Sequence, residues 1–219
     1  MAKAPARDEG QAFPIYVVVV TGLLFAAFAF VVVGMAGATR SDAQGAADAA
    51  ALAAARETRD NVFDGIDLPA LTPGDWEKIV TGDGLVGEGA CAKADAFAGM
   101  NDATTVTCHA NVLEFTVSVK TNGTVGDSVV PGSETLHGLA EAKAVIEPRC
   151  TLKPGPTPAP SPSPSPTSTP TPPPGGDGAG TPPSVEFRCK GGAALTFDPT
   201  KPGSLTELAR KLFSVRLAD

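Results

Sequence analysis

Residues 15–38, IYVVVVTGLLFAAFAFVVVGMAGA, decide the fold, because these 24 consecutive positions contain no charged side chain. As a helix this stretch is about 36 Å long, which exceeds the ~30 Å hydrocarbon core of a bilayer. Its only side chains with any polarity are Tyr16, Thr21 and Met35, so it lacks the polar stripe of a helix packed at a protein surface. We therefore predict a membrane-spanning helix, with a buried core helix as the alternative.

A cleaved signal peptide is a second alternative for the same stretch. Ala36-Gly37-Ala38 resembles a signal peptidase site. The apolar stretch is far longer than the ~7 to 15 residues of a signal-peptide core, however. We therefore expect the helix to remain part of the mature protein.

The helix is predicted to continue well beyond the membrane. Residues 41–60, SDAQGAADAAALAAARETRD, hold nine alanines between Ala43 and Ala55, and alanine is the strongest helix former. Pro14 precedes the apolar stretch and suits the first turn of a helix, where an N–H has no partner in any case. One continuous helix from near Pro14 to about Arg59 would be roughly 69 Å long.

The alanine-rich part carries two rows of residues with helical spacing. Arg40, Gln44 and Asp48 are four residues apart and share one stripe. A second row, of small residues, lets helices approach closely and is therefore a candidate packing surface; it consists of Gly45, Ala49 and Ala53. The alternative is that alanine merely keeps an exposed helix helical.

Length and composition leave room for one small domain outside the membrane. The chain has 219 residues, 21 of them proline and 24 glycine, with a formal net charge of −7. This acidity argues against nucleic acid as a partner, because phosphate binding needs clustered Lys and Arg. The predicted organisation is a cytoplasmic leader (1–14), a span (15–38), a helical extension (39–60), an extracytoplasmic domain (61–153) completed by 184–219, and a disordered Pro/Ser/Thr/Gly-rich loop or linker (154–183).

Four cysteines, Cys91, Cys108, Cys150 and Cys189, all follow the predicted span. An even number on one side of a membrane favours two disulfides in an oxidising compartment. Pairing of nearest neighbours is our preferred connectivity among three, and four free thiols are the alternative. Lys and Arg counts on the two sides of the span do not decide its orientation, so the cysteines and the Pro-rich tract place the C-terminal domain outside the cytoplasm.

Alternating apolar residues predict antiparallel strands, so we expect an α+β fold. The segment 104–120 alternates in two registers that join near Val112, which indicates either a bulge or two strands, with Val106 and Cys108 on one face. Asn122-Gly123 then predicts a turn. Residues 136–147 predict a further strand. Short strands at VEFRCK and ALTFD precede an amphipathic helix that opens at Ser204 and carries Phe213 on its apolar side.

No motif in the chain carries catalytic chemistry. Gly82, Gly84 and Gly87 fit G-x-G-x-x-G, but a dinucleotide site needs a strand before the glycines and a helix after them, and no clear helix start follows. The two histidines, His109 and His137, lie in predicted strands without a suitable partner. We therefore expect no enzyme activity, no cofactor, no metal and no small-molecule substrate.

The N-terminal region resembles a known family. Gly10-Gln11 before the apolar helix, and Gln44 with Asp48 in the run QGAADAAALA after it, are similar to the start of the Flp (Tad) pilus-assembly TadE/TadG-like proteins. The resemblance implies a bacterial pilin-like or pilus-associated membrane protein. Substrates of prepilin peptidase usually carry glutamate at the fifth position after the cleavage site. Cleavage after Gly10 would place Ile15 there, which favours the uncleaved TadG-like branch.

The sequence therefore predicts a single-pass cell-membrane protein that acts as a structural component of Flp pilus assembly or secretion. Its expected partners are the membrane and other pilus-assembly or pilin-like proteins, contacted through helix packing. The alternative is a cell-surface binding module that the Pro-rich tract spaces from the membrane. Neighbouring genes would discriminate, since a pilus role predicts an adjacent secretion ATPase.

Overall fold

The computed structural model describes residues 12–124, 133–153 and 184–218. The predicted leader up to residue 11, with Gly10 and Gln11, and the predicted disordered tract 154–183 lie outside these residues. The helices are α1 (Ala12–Asp60), α2 (Pro73–Thr81), α3 (Ala90–Met100) and α4 (Leu205–Leu212). The strands are β1 (Ala103–Ala110), β2 (Glu114–Thr124), β3 (His137–Pro148), β4 (Cys150–Leu152), β5 (Val185–Cys189), β6 (Ala194–Phe197) and β7 (Phe213–Ala218).

A four-stranded antiparallel sheet in the order β1-β2-β3-β7 forms the main layer of the domain. Its strands alternate, so that Phe115, Val117 and Val119 of β2 are buried beside Ala142 and Ala144 of β3. Helices α1 and α3 cover this inner face, whereas the outer face carries mostly polar residues. This mixed arrangement of helices and antiparallel strands confirms the predicted α+β class.

The second half of α1 is the central helix of the domain. Its buried alanines recur at intervals of three and four residues, which places them on one face of the helix. Seven of them are at most 1 % exposed: Ala43, Ala46, Ala47, Ala50, Ala51, Ala54 and Ala55. The segment predicted as a helical extension therefore shares its core with the sheet that follows.

A smaller antiparallel sheet, β4-β5-β6, packs near the end of α1 through an aromatic cluster. Trp76 of α2 is at its centre, with ring centroids 6.1 Å from Phe63, 5.8 Å from Phe187 and 5.6 Å from Phe197. Edge-on aromatic contacts of this kind add to the free energy of area burial. The cluster joins α2 and the small sheet to the rest of the core.

Segment 104–120 forms two strands, β1 and β2, rather than one bulged strand. The register of β1 shifts between Thr105 and Thr107, which leaves Val106 58 % exposed instead of sharing the buried face with Cys108. The turn predicted at Asn122-Gly123 is wrong, because both residues lie within β2. Backbone hydrogen bonding keeps this segment extended, since the N–H of Asn122 donates to the main-chain oxygen of Asp102 at 2.8 Å.

Three of the described helices and strands are not predicted from the sequence: α3, the short strand β4, and β7. Helix α3 begins at Ala90, directly after Gly89 in a left-handed conformation (φ 77°), so the expectation that no helix starts here is wrong. Helix α4 ends at Leu212, and Phe213 is the first residue of β7 rather than part of the helix. β7 pairs with β3 and completes the main sheet, which explains why the chain becomes extended at that point.

Candidate membrane anchor and helix interface

The first half of α1 presents large apolar side chains that nothing in the domain covers. The segment Phe13–Val31 has a mean hydropathy of 2.4, and none of it is buried. Phe25, for example, is 74 % exposed and Phe30 is 81 % exposed. A helix that is apolar on all sides and exposed on all sides suits a lipid environment. It is long and apolar enough to cross a membrane.

Helix α1 and the main sheet approach each other closely at Gly138, where the absence of a side chain allows the contact. A Cβ atom on Gly138 of β3 would lie 2.6 Å from the main-chain oxygen of Thr39 and 3.0 Å from the Cβ of Ala43. Real Cβ atoms do not approach main-chain atoms so closely, so no other residue fits without moving the helix. The contact joins the start of β3 to α1 just beyond the apolar stretch.

Gln44 and Asp48 of the predicted stripe are bonded to each other. The side-chain amide Nε2 of Gln44 donates to Oδ1 of Asp48 at 2.8 Å, and it also lies 3.5 Å from the main-chain oxygen of Glu141 in β3. Among the described residues, β7 pairs with β3 from Lys143 onward, so Glu141 precedes the part of β3 that β7 covers. These two residues therefore border the edge of the main sheet.

The three small residues of the predicted packing row have different environments. Gly45 is exposed, and nothing lies within 4 Å of the position its Cβ would take. Ala49 is half-buried, whereas Ala53 is buried at 4 % exposure. Only the beginning of the row is therefore open to another helix. That the row packs against a partner stays a prediction.

Two disulfides connect elements of the domain, as predicted, and they join nearest neighbours in the sequence. Cys91–Cys108 links α3 to β1 on the inner side of the sheet. Cys150–Cys189 joins directly paired residues of β4 and β5. Because β4 and β5 are the strands on either side of residues 154–183, the Pro-rich tract is a connection within one small sheet and does not link two separate domains.

The end of α1 is tied to α4 by a charged cluster around Asp60. Arg210 donates to Oδ2 of Asp60 at 2.9 Å, and Arg59 contacts Oδ1 at 2.8 Å. Burial raises the pKa of Asp60, but the hydrogen bonds and charges of Arg210 and Arg59 outweigh it and hold the pKa below its usual value. The carboxylate therefore stays charged and holds the two helices together.

The sequence singles out two histidines and one glycine-rich stretch as candidates for chemistry, and the structure describes the surroundings of all three. Within 12–124, 133–153 and 184–218, no group of three His, Cys, Asp or Glu could hold a metal ion. His109 is exposed, and the Nδ1 atom of His137 is 2.7 Å from the main-chain oxygen of Thr121. The G-x-G-x-x-G stretch follows helix α2, with Gly82 as its left-handed cap, rather than a strand. That geometry is not the strand–glycine–helix turn that cradles a phosphate.

These features define the class of protein: an α+β domain whose central helix continues into a segment able to span a membrane. Residues 10–57 match the family model of putative Flp pilus-assembly TadE/G-like proteins. This matched segment covers nearly all of α1 and little else, so it associates the helix, rather than the sheet, with Flp pilus assembly. No curated protein and no solved structure matches the chain.

Proposed function

We propose that this protein is a single-pass, TadG-like membrane component of Flp pilus assembly that acts mechanically and not as an enzyme. The main support is a single helix of 49 residues. Its first half is apolar and exposed, whereas its second half contributes buried alanines to the core of the domain. The family match falls on that same helix. A force on the domain is thus transmitted to the membrane through continuous helix, because no loop intervenes.

The proposed orientation places the N-terminus in the cytoplasm and the domain outside. Both disulfides lie in the domain, and disulfides persist in oxidising compartments. The helix is proposed to remain uncleaved and in the membrane, because position 15 is isoleucine where processed pilins carry glutamate. N-terminal sequencing and intact mass of the membrane-extracted protein test this. A new N-terminus at Gln11 would instead indicate a processed, pseudopilin-like subunit.

The open part of the small-residue row is the proposed contact with other pilus-assembly proteins. Gly45 has free space around it and lies on α1 beyond the membrane. Substitution Gly45→Leu would fill this space and block close approach of a second helix. It would also favour the helical state, because glycine is about 1 kcal/mol less favourable than alanine in a helix. A defect of the variant would therefore not arise from a weaker helix.

The experiment is complementation of a gene deletion in the bacterium that encodes the protein. The wild-type gene and Gly45→Ala should restore Flp pili, whereas Gly45→Leu should not, with all three proteins present at equal levels in the membrane fraction. Normal piliation in the deletion strain would contradict the pilus role. Normal piliation with Gly45→Leu would contradict only the proposed contact.

The alternative function, a binding module that the Pro-rich tract spaces from the membrane, requires the tract to lie between the membrane and the domain. The tract lies between β4 and β5, whereas α1 enters the domain directly from the apolar segment. The tract therefore does not separate the domain from the membrane, and no described feature favours this alternative over assembly.

A further inference from the structure

We propose that the end of the domain nearest the apolar segment rests on the bilayer itself, with Met100, Leu136 and Leu139 entering the lipid headgroup zone. We call these three residues the proximal rim. The inference rests on the proposed membrane anchoring and adds a second contact, between domain and lipid. The partner is the interfacial zone of a phospholipid bilayer.

The contact between Gly138 and Thr39 indicates how deep the proximal rim lies relative to the bilayer. The uncharged stretch 15–38 is about 36 Å long as a helix, and the hydrocarbon core with its headgroups measures ~40 to 45 Å. Thr39, the next residue, therefore lies in the headgroup zone, and tilting of the long apolar stretch brings it closer still to the hydrocarbon. Gly138 lies against Thr39, so the start of β3 is at the same depth.

The side chains at this depth are large, apolar and exposed. Leu136 and Leu139 flank Gly138 in sequence and are 57 % and 69 % exposed. Met100, at the end of α3, is 76 % exposed and borders a groove of about 560 Å³ that Thr39 also lines. Met100 shares the groove with Thr39, and Leu136 and Leu139 are neighbours of Gly138 in sequence, so all three lie close to the outer end of the apolar stretch. This position distinguishes them from single exposed apolar residues elsewhere on the surface.

Charges near the rim indicate a neutral lipid partner. Among the described residues, exposed charged side chains of both signs lie near the rim. Asp42 and Asp102 line the groove with Met100, and Lys120 pairs with Leu139. Arg40 follows Thr39, and Glu134 precedes Leu136 by two residues. Such a mixture gives no attraction to an anionic membrane. The contact would therefore depend on burial of apolar surface and would form on zwitterionic lipid.

The test uses tryptophan as a depth probe in the full-length protein. Single variants Leu139→Trp, at the rim, Val112→Trp, at the far end of the sheet, and Phe25→Trp, within the span, are each placed in phosphatidylcholine vesicles. A share of the lipid carries bromine, which quenches nearby tryptophan. The bromine lies near the glycerol end of the acyl chains for positions 139 and 112, and near their methyl end for position 25, which is at the centre of the span. The native Trp76 is buried at 2 % exposure and supplies a constant background.

We expect the emission added by Leu139→Trp to be lost on brominated lipid and that of Val112→Trp to be retained. Val112 is a matched control because it is also an exposed apolar residue, at 49 % exposure, in the turn between β1 and β2. Equal quenching at positions 139 and 112 would overturn the proposal. Absence of quenching for Phe25→Trp would instead contradict the membrane anchor, so the two failures are distinguishable.

Discussion

The two halves of α1 are both apolar, yet they have opposite surroundings. The first half consists largely of Val, Leu and Phe and is exposed, whereas the second consists largely of alanine and is buried along the face that meets the sheet. The difference lies in side-chain volume. Large side chains gain by contact with fluid lipid, whereas small ones let a helix lie close to a sheet whose own facing residues include alanines, such as Ala142 and Ala144. Apolar character alone therefore does not say which part of a helix a domain covers.

Reduction of the disulfides should have the largest effect, and this effect should fall on the domain around the second half of α1 and not on the first half. Each half depends on a different partner, so loss of Cys91–Cys108 and Cys150–Cys189 should destabilise the domain and leave the span inserted. From loops closed over 17 and 39 residues we expect a loss of about 3 to 4 kcal/mol for each bond. The measurement is thermal unfolding of the protein in vesicles with and without reductant, together with flotation. Release of the reduced protein from the vesicles would contradict the comparison.

Enlarging one alanine in each half tests the role of volume directly. Ala50→Leu adds three carbons at a fully buried position and should cost about 1 to 3 kcal/mol by overpacking. The matched variant Ala26→Leu lies in the exposed half and should leave the unfolding temperature of the domain unchanged. Circular dichroism melts of both variants in the same vesicles provide the measurement. Equal melting temperatures would show that the alanine face tolerates a larger side chain.

The close approach at Gly138 gives a third, smaller test. Gly138→Ala places a Cβ against the main-chain oxygen of Thr39, so α1 and β3 must move apart, at an expected cost of about 1 to 2 kcal/mol. Gly123→Ala is the control, because nothing lies within 4 Å of that position. Hydrogen exchange of the β3 amides should increase for Gly138→Ala alone. Unchanged protection in both variants would argue against the tight contact.

The smallest effect concerns the charged cluster at the end of α1. The pKa of Asp60 is lowered on folding, so the cluster stabilises the domain above the ordinary pKa of 3.8, and this contribution is lost as the pH falls through the folded-state pKa. The partly exposed pair is worth at most about 1 kcal/mol. Asp60→Asn should therefore reduce the loss of stability between neutral and acidic pH. Denaturant unfolding at several pH values measures it, and an unchanged pH dependence would count against the cluster.

Local patterns predicted the elements that are regular in sequence. The uninterrupted apolar and alanine-rich stretches predicted α1, and alternation predicted β3. Short strands were also predicted at the positions of β5 and β6, the first two of the three strands after the Pro-rich tract. These local patterns gave the wrong secondary structure where pairing with a distant strand overrides local helix propensity. Phe213 has the spacing of a helical residue, but pairing with Pro148 of β3 makes it extended. Helix α3 was missed because Gly89 provides no side-chain cap at its start.

By itself, the sequence determined that the chain has one long helix with a segment able to span a membrane, because helix propensity and hydropathy are local properties. It also carried the family resemblance, which depends on residues of that helix. Only the tertiary structure decided which face of the alanine-rich half is covered, that Gly45 is open and Ala53 is not, and that the Pro-rich tract is a connection inside a small sheet. These depend on strand pairing and helix–sheet contact between residues far apart in the chain, and no local pattern encodes them.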